Sequence, residues 1–388
     1  MRSATRLFRS VLLGSAFCAF AASAHAGPYT LLYNFAGPPN DGSYPYNDVS
    51  FDAGGDLYGA TNLGGAADAG TIFKIAAGGT ETLLHSFDGA AGGSDPNAGV
   101  TLDPSTGDLT GSTTFGGSGG CRNGCGILYR LAADGTFTVL HTFKGGKDGE
   151  NPAARLIRDG RGNYYGIAAA GPNGGGMVFR YGADGAFKVM HAFGGADGFS
   201  PQGSLLLDGA GNLYGVTNSG GTDNYGVVYR LGTNGKTFSV LYSFTGGADG
   251  GYPSGGLSSD KAGNLYGATN LAGNGEYPNG TVFRLAPDGT LTTLYVFTGG
   301  KDGGYPQGDL LQEKGQLYGT TTGGGADNDG VVYKVDAAGG SETVLHTFRG
   351  DDGATPQAGL TRNHGPLYGT ASSGGTDGYG VVFSIKTK

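Results

Sequence analysis

The sequence predicts an all-β fold, a seven-bladed β-propeller of four-stranded blades, and three regularities carry that reading. A Leu-Tyr-Gly triplet recurs with its glycine at Gly59, Gly111, Gly166, Gly215, Gly267, Gly319 and Gly369, altered only by Thr110 and Tyr164. Successive copies lie 49 to 55 residues apart, a period that belongs to propellers and related arrays, whose units cannot bury their faces alone. An aromatic residue closes an apolar stretch once per copy, at Phe35, Phe87, Phe143, Phe193, Phe244, Phe297 and Phe348. The third regularity is the phase of the two ends. The first apolar run, 30–35, is of the type that closes a unit, whereas the last, 380–385, is of the type that stands third in one. The seventh unit therefore lacks its outer strand. The N-terminal strand is expected to pair into that last blade, closing the ring without an open edge.

Within one unit, four short apolar stretches at 204–207, 212–217, 226–231 and 238–244 are separated by turn signals. Asp208-Gly-Ala-Gly211 joins the first to the second, with Asp capping a tight turn and Gly in the left-handed position. A second tight turn, as at Asp134-Gly135 or Asp288-Gly289, joins the third to the fourth. Apolar side chains fall on both faces, Val331, Tyr333 and Val335 on one and Val332 on the other, which suits a sheet packed between sheets. In such a meander the two tight turns share one face of the disc. The long, glycine-rich second-to-third connections and the connections between units share the other, where a ligand site is expected.

Residues 1–26 read as a cleaved secretory signal, because Arg2, Arg6 and Arg9 precede an apolar run at 11–22 and Ala24-His25-Ala26 offers small residues for cleavage. The run is too short for a spanning helix, so a secreted or periplasmic protein is expected, with a single domain over 27–388. Cys18 follows the bulky Phe17, which disfavours a lipid anchor. Losing three arginines takes the net charge from −8 to −8 − 3 = −11, a balance that disfavours nucleic acid and anionic membranes as partners. Cys121 and Cys125 remain, and in an oxidising compartment they are expected to form a local disulfide. Half a zinc site is the alternative. The 83 glycines alone would suggest low complexity, but the 22 Tyr and 20 Phe recur at fixed places.

The recurring Asn-Leu-Tyr-Gly-x-Thr, followed by Gly-Gly and by Gly-Val-Val-Tyr-Arg-Leu as at 212–231, resembles the GloVer tandem-repeat family along essentially the whole mature chain. That resemblance implies an exported bacterial repeat protein, with C-terminal anchors that differ among members, and it implies no activity. The sequence stops at Lys388 just after the last strand, so surface anchoring is not expected.

Candidate binding residues come from the connections between units, which carry Asp-Gly-x-x-Pro at 41–45, 148–152, 197–201, 249–253, 302–306 and 352–356, degraded to 92–96 in the second. A ring of such carboxylates would suit calcium. The alternative has Asp capping a turn, Gly permitting positive φ and Pro fixing the next strand, and repetition in nearly every unit favours it. Tyrosines at 44, 252, 277, 305 and 379 lie near further aspartates, an arrangement suited to stacking on sugar rings; tyrosine packing over glycine-rich turns is the competing reading. Tyr44, Asp249, Tyr252, Asp302 and Tyr305 are accordingly the candidate ligand-binding residues, for a glycan, peptide or protein ligand. His85, His141, His191 and His346 share one strand register with Tyr33, Tyr242 and Tyr295, a pattern that asks for a flat, polar-tipped ring in a structural role. No nucleophile elbow, Walker loop, His-Glu-x-x-His or Cys-x-x-Cys is present. The predicted function is therefore an exported, monomeric, non-catalytic binding scaffold. The alternative is a propeller enzyme, a lactonase, lyase or glycoside-acting hydrolase, with carboxylates at the channel mouth. An enzyme would need polar residues unique to one or two units. The departures visible, Arg155, Tyr164, the cysteine pair and Gln312-Glu313-Lys314, make no recognisable acid–base pair.

Overall fold

The seven copies form seven antiparallel sheets in the computed structural model, which describes residues 28–271 and 279–387. The secretory signal read at 1–26, and Tyr277, lie outside the described residues. In unit four the strands are Phe199–Leu207, Asn212–Ser219, Val227–Gly232 and Phe238–Ser243, each hydrogen-bonded to the next. The other units repeat this meander around a central axis, with the first strand innermost and the fourth outermost. Among the described residues there is no α-helix, only a 3-10 turn at Gly146–Asp148.

The innermost strand of unit four is longer than its apolar run suggests. It begins at Phe199 and takes in Pro201, which sits opposite Thr217. Proline is tolerated because this strand is the inner edge of its sheet and its missing N–H breaks no ladder bond. In units three, five and six the same strand splits, into Glu150–Pro152 and Ile157–Arg158, Gly251–Pro253 and Ser258–Ser259, and Gly304–Pro306 and Leu311–Glu313. The residues between the halves leave the ladder, and several of them line the axis.

Each member of the Leu-Tyr-Gly triplet has a physical task. Gly215 opposes Tyr229 in register, and the Tyr229 ring lies so close that a methyl group at 215 would come within 2.6 Å of its Cζ. Phe73, Tyr129, Phe179, Phe283, Tyr333 and Phe383 approach the other six glycines in the same way. The Tyr214 hydroxyl donates to Asp208 at 3.1 Å, while the other Asp208 oxygen accepts the backbone N–H groups of Ala210 and Asn212. Tyr58 with Asp52, Tyr165 with Asp159 and Tyr266 with Asp260 repeat that clamp. Leu213 is fully buried. The triplet is thus the sequence image of one buried anchor, one capped turn and one close approach.

The even-numbered units place Tyr129, Tyr229 and Tyr333 where the odd ones have phenylalanine, and those three buried hydroxyls find no hydrogen-bond partner among the described residues. An unpaired buried hydroxyl costs about 1–3 kcal/mol. Tyr229→Phe is therefore expected to raise the free energy of unfolding in urea by about 1 kcal/mol. A loss of stability would mean that the hydroxyl is satisfied.

The core is divided among the junctions between units. Each of seven buried clusters draws on two adjacent units, and one of them, Phe35, Val49, Leu57, Phe73, Ile75 and Val382, joins the seventh unit to the first. There the N-terminal strand Tyr29–Asn34 pairs antiparallel with Val381–Ile385 and supplies the missing outer strand. The protein is a closed seven-bladed propeller.

On the outer strands the recurrent His/Tyr ring packs against the first residue of the next blade's outer strand. His85 stacks on Phe137 at 4.1 Å, His141 on Phe187 at 4.0 Å, His191 on Phe238 at 3.7 Å and His346 on Tyr29 at 3.8 Å. After Tyr33 and Tyr295 that next first residue is instead Glu81 or Glu342. Burial, and then the nearby Asp41 or Asp302, pushes each glutamate up to about 7. A carboxyl whose folded pKa exceeds its unfolded value of about 4.3 binds more protons when folded. Its contribution is therefore full below that value and is lost as pH rises through 7. His85 and His141, whose pKa values burial lowers, act with the opposite sign, so the glutamates are isolated by difference. Glu81→Gln with Glu342→Gln is expected to stabilise at pH 8 by on the order of 1 kcal/mol, after allowance for solvent screening, and by little at pH 4.5. Equal effects at both pH values would refute this.

Candidate functional site

The Asp-Gly-x-x-Pro connections are stitches between blades. Asp249 accepts the Tyr242 hydroxyl at 3.1 Å and the Thr245 N–H at 2.8 Å on one oxygen, and the Thr245 hydroxyl and the Gly247 N–H on the other. Asp302 is held alike by Tyr295 and Thr298, while Asp197 and Asp352 meet His191 and His346 at 2.8 and 3.0 Å. The residue before each proline is left-handed, with φ between 53° and 60° at Tyr44, Asp95, Asn151, Ser200, Tyr252, Tyr305 and Thr355. That kink, which a non-glycine residue adopts only at a cost of about 1 kcal/mol, aims the N–H at the preceding blade. Tyr252 donates to the Tyr225 carbonyl, Tyr305 to Asn279 and Tyr44, across the ring closure, to Tyr379, each at 2.8 Å. The following proline then covers a glycine of that blade, as Pro253 covers Gly226 and Pro45 covers Gly380.

These stitches place the five candidate ligand-binding residues at the blade junctions of the long-loop face. Tyr44 meets Tyr379 edge-on at 6.3 Å, Tyr252 meets Tyr225 at 5.3 Å, and Tyr305 is 39% exposed. The carboxylates of Asp249 and Asp302 point into their own turns. None of the five lines the central cavity. Cys121 and Cys125 are joined in a disulfide. With Glu150 they make the one trio of potential metal ligands found among the described residues, and its two sulfurs are bonded to each other.

The cavity, about 350 Å³, lies on the propeller axis. The residue after each proline contributes to it, as Tyr46, Asn97, Ala153, Gln202, Ser254, Gln307 and Gln357, joined by Asn47, Asn218 and Asn270. Asn218 and Asn270 stand where second strands run out into the long connections, so the cavity opens on the long-loop face. Two residues further along each blade, the third position after the proline reads Asp48, Gly99, Arg155, Ser204, Gly256, Asp309 and Gly359 around the ring. Backbones of neighbouring blades touch here: a methyl group on Gly308 would strike Ala358 and Gly359.

Three charged side chains break the ring's symmetry. Asp309 accepts the N–H groups of Gly256 and Ser204, and Asp48 accepts that of Gly359 at 2.6 Å. Removal from water first, and then Asp309, pushes Asp48 up to about 6, against the pull of the Arg155 guanidinium and the Gly359 N–H. Arg155 is visible in sequence as a departure from the repeat, whereas Asp48 and Asp309 escape that reading. Alignment of the seven units on their prolines is the signal that finds them.

A family profile described as the Gloeobacter/Verrucomicrobia repeat matches residues 18–171, 118–275 and 211–388. The chain belongs to that family. Each match to the Gloeobacter/Verrucomicrobia repeat spans about three successive blades of this chain. No curated protein sequence matches the chain. Among solved structures, one from a study of two prolyl endopeptidases is 12% identical with a TM-score of 0.52, covering 88% of this chain and 46% of that one. A gluconolactonase from Xanthomonas campestris is 15% identical with a TM-score of 0.45, over 79% of this chain and 88% of that one. A luciferin-regenerating enzyme is 13% identical with a TM-score of 0.44, over 75% and 91%. At 12% identity the likeness to the prolyl endopeptidase structure concerns the fold of this Gloeobacter/Verrucomicrobia repeat protein and not its chemistry.

Proposed function

We propose that this protein is an exported, non-catalytic binding propeller that takes a polyhydroxylated ligand, the end of a glycan chain, in the central cavity and on the surrounding long-loop face. The observation that carries the reading is the cavity lining. At six of the seven positions after the prolines it presents uncharged hydrogen-bonding side chains, Tyr46, Asn97, Gln202, Ser254, Gln307 and Gln357. Carboxamides both donate and accept, which matches sugar hydroxyls. The volume falls within the range of small-molecule sites, roughly 300–1,000 Å³. Around the mouth Tyr44, Tyr252 and Tyr305 offer flat faces on which further sugar rings stack, while Asp249 and Asp302 hold the turns that present them. The secretory signal expected at 1–26 and the Cys121–Cys125 disulfide support an oxidising, extracytoplasmic location.

The test is a glycan panel read by thermal shift and calorimetry on the folded chain, since a ligand of the native state raises the transition. Gln307→Ala with Gln357→Ala is expected to weaken the best glycan about tenfold, the equivalent of losing one or two hydrogen bonds, while the melting of the free protein stays put. Undiminished binding by the double variant would remove the cavity from the site.

A further inference from the structure

The repeat supplies its own control for the charges in the cavity. At the third position after the proline, four blades carry the uncharged Gly99, Ser204, Gly256 or Gly359, and three of these donate their N–H to Asp309 or Asp48. Asp48, Arg155 and Asp309 are the charged exceptions in the ring, and all three also line the cavity. Together with Tyr46 they are all the titratable or charged groups among the described residues that line the cavity. Two carboxylates and one guanidinium leave one negative charge in excess. Charge held away from bulk water is unfavourable unless an opposite charge joins it.

We propose that the central cavity selects an amino sugar, binding a primary ammonium group on the glycan with Asp48 and Asp309. This rests on the glycan reading above and names its ligand class. One ammonium brings the pocket to neutrality, whereas a divalent cation would overshoot and meet Arg155. An ammonium has three donors; two carboxylates account for two, and the carboxamide oxygens of the lining offer an acceptor for the third. The surrounding amides serve the sugar hydroxyls, which favours an amino sugar over a lysine side chain.

Binding of a cation favours ionised Asp48, and with its pKa at about 6 a proton must leave when the ligand binds below that pH. Asp48 is faced by Asp309 from the sixth blade and Arg155 from the third, and Tyr46, whose pKa burial raises, stays neutral in this range. Affinity for the amino sugar is thus expected to fall toward tenfold per pH unit below about 6.

Calorimetric titration of the folded chain with a glucosamine tetrasaccharide, its fully N-acetylated counterpart and a lysine-containing peptide, at pH 7 and pH 5, tests this. The expected result is that at pH 7 the amino form binds at least tenfold more tightly than the acetylated form and the peptide. That preference should shrink about tenfold by pH 5 and be lost in Asp48→Asn. Asp48→Gly, which installs the residue other blades use, provides a second variant should the first fold poorly. Equal binding of the two saccharides, preference for the peptide, or a preference that survives both variants would overturn the inference while leaving glycan binding intact. Failure of every glycan in the panel would overturn both.

Discussion

Deletion of residues 27–36 is expected to lower the stability of the propeller by about 5 kcal/mol and its melting temperature by roughly 10 °C. The segment contributes the outer strand Tyr29–Asn34 of the seventh blade and the buried Phe35 of the cluster that joins that blade to the first. Without it the backbone of Val381–Ile385 loses its partner on one edge. His346 and Phe383 lose the Tyr29 ring between them, and Phe73 loses its edge-on contact with Phe35 at 5.1 Å. The loss is a large share of the 5–15 kcal/mol by which domains are stable. A synthetic peptide of the same ten residues should restore part of the transition in a concentration-dependent way, as any ligand of the native state does. Thermal unfolding followed by circular dichroism reads both effects, and an unaltered transition in the deleted chain would mean that the ring does not depend on its seam.

Asp41→Ala is expected to cost about 3 kcal/mol. Asp41 is buried, and its carboxylate accepts the Tyr33 hydroxyl at 2.9 Å, the Ala36 N–H at 2.7 Å and the Gly42 N–H at 2.6 Å. Removing it strands three donors at the junction where the ring closes. Asp249→Ala, in the equivalent stitch of the fifth blade but more exposed, should cost less. The pair of variants also separates the two readings of the aspartate ring. A carboxylate occupied by its own turn keeps its stabilising effect with or without calcium, so denaturant midpoints measured in chelator and in millimolar calcium should coincide. A calcium-dependent gain that vanishes with Asp249→Ala would assign the ring to a cation.

Periodicity carried most of the architecture into view. Blade number, the four-strand meander, the capped Asp208 turn and the phase of 30–35 against 380–385 all follow from local patterns repeated seven times, because each blade must bury the same faces against the same neighbours. The flat ring asked for at His85, His141, His191 and His346 is likewise explained by one recurring stack. Other features were out of reach of local pattern. The first strand begins at Phe199 and not at 204, since whether proline is tolerated depends on which edge of the sheet faces no partner. The left-handed residue before each proline has meaning only through the carbonyl of the preceding blade.

The candidate site divides along the same line. Tyr44, Asp249, Tyr252, Asp302 and Tyr305 are legible because they sit in a repeated motif, and a repeated motif reports what every blade needs. Asp48, Arg155 and Asp309 lie far apart in sequence and in blades that are not adjacent. What the sequence determined by itself is the repeat, the closed ring and the long-loop face, all consequences of local hydrophobic period and turn chemistry. Only the tertiary structure brings three charges from separate blades onto one axis, because closing a ring converts equivalent positions into neighbours and makes their differences a site.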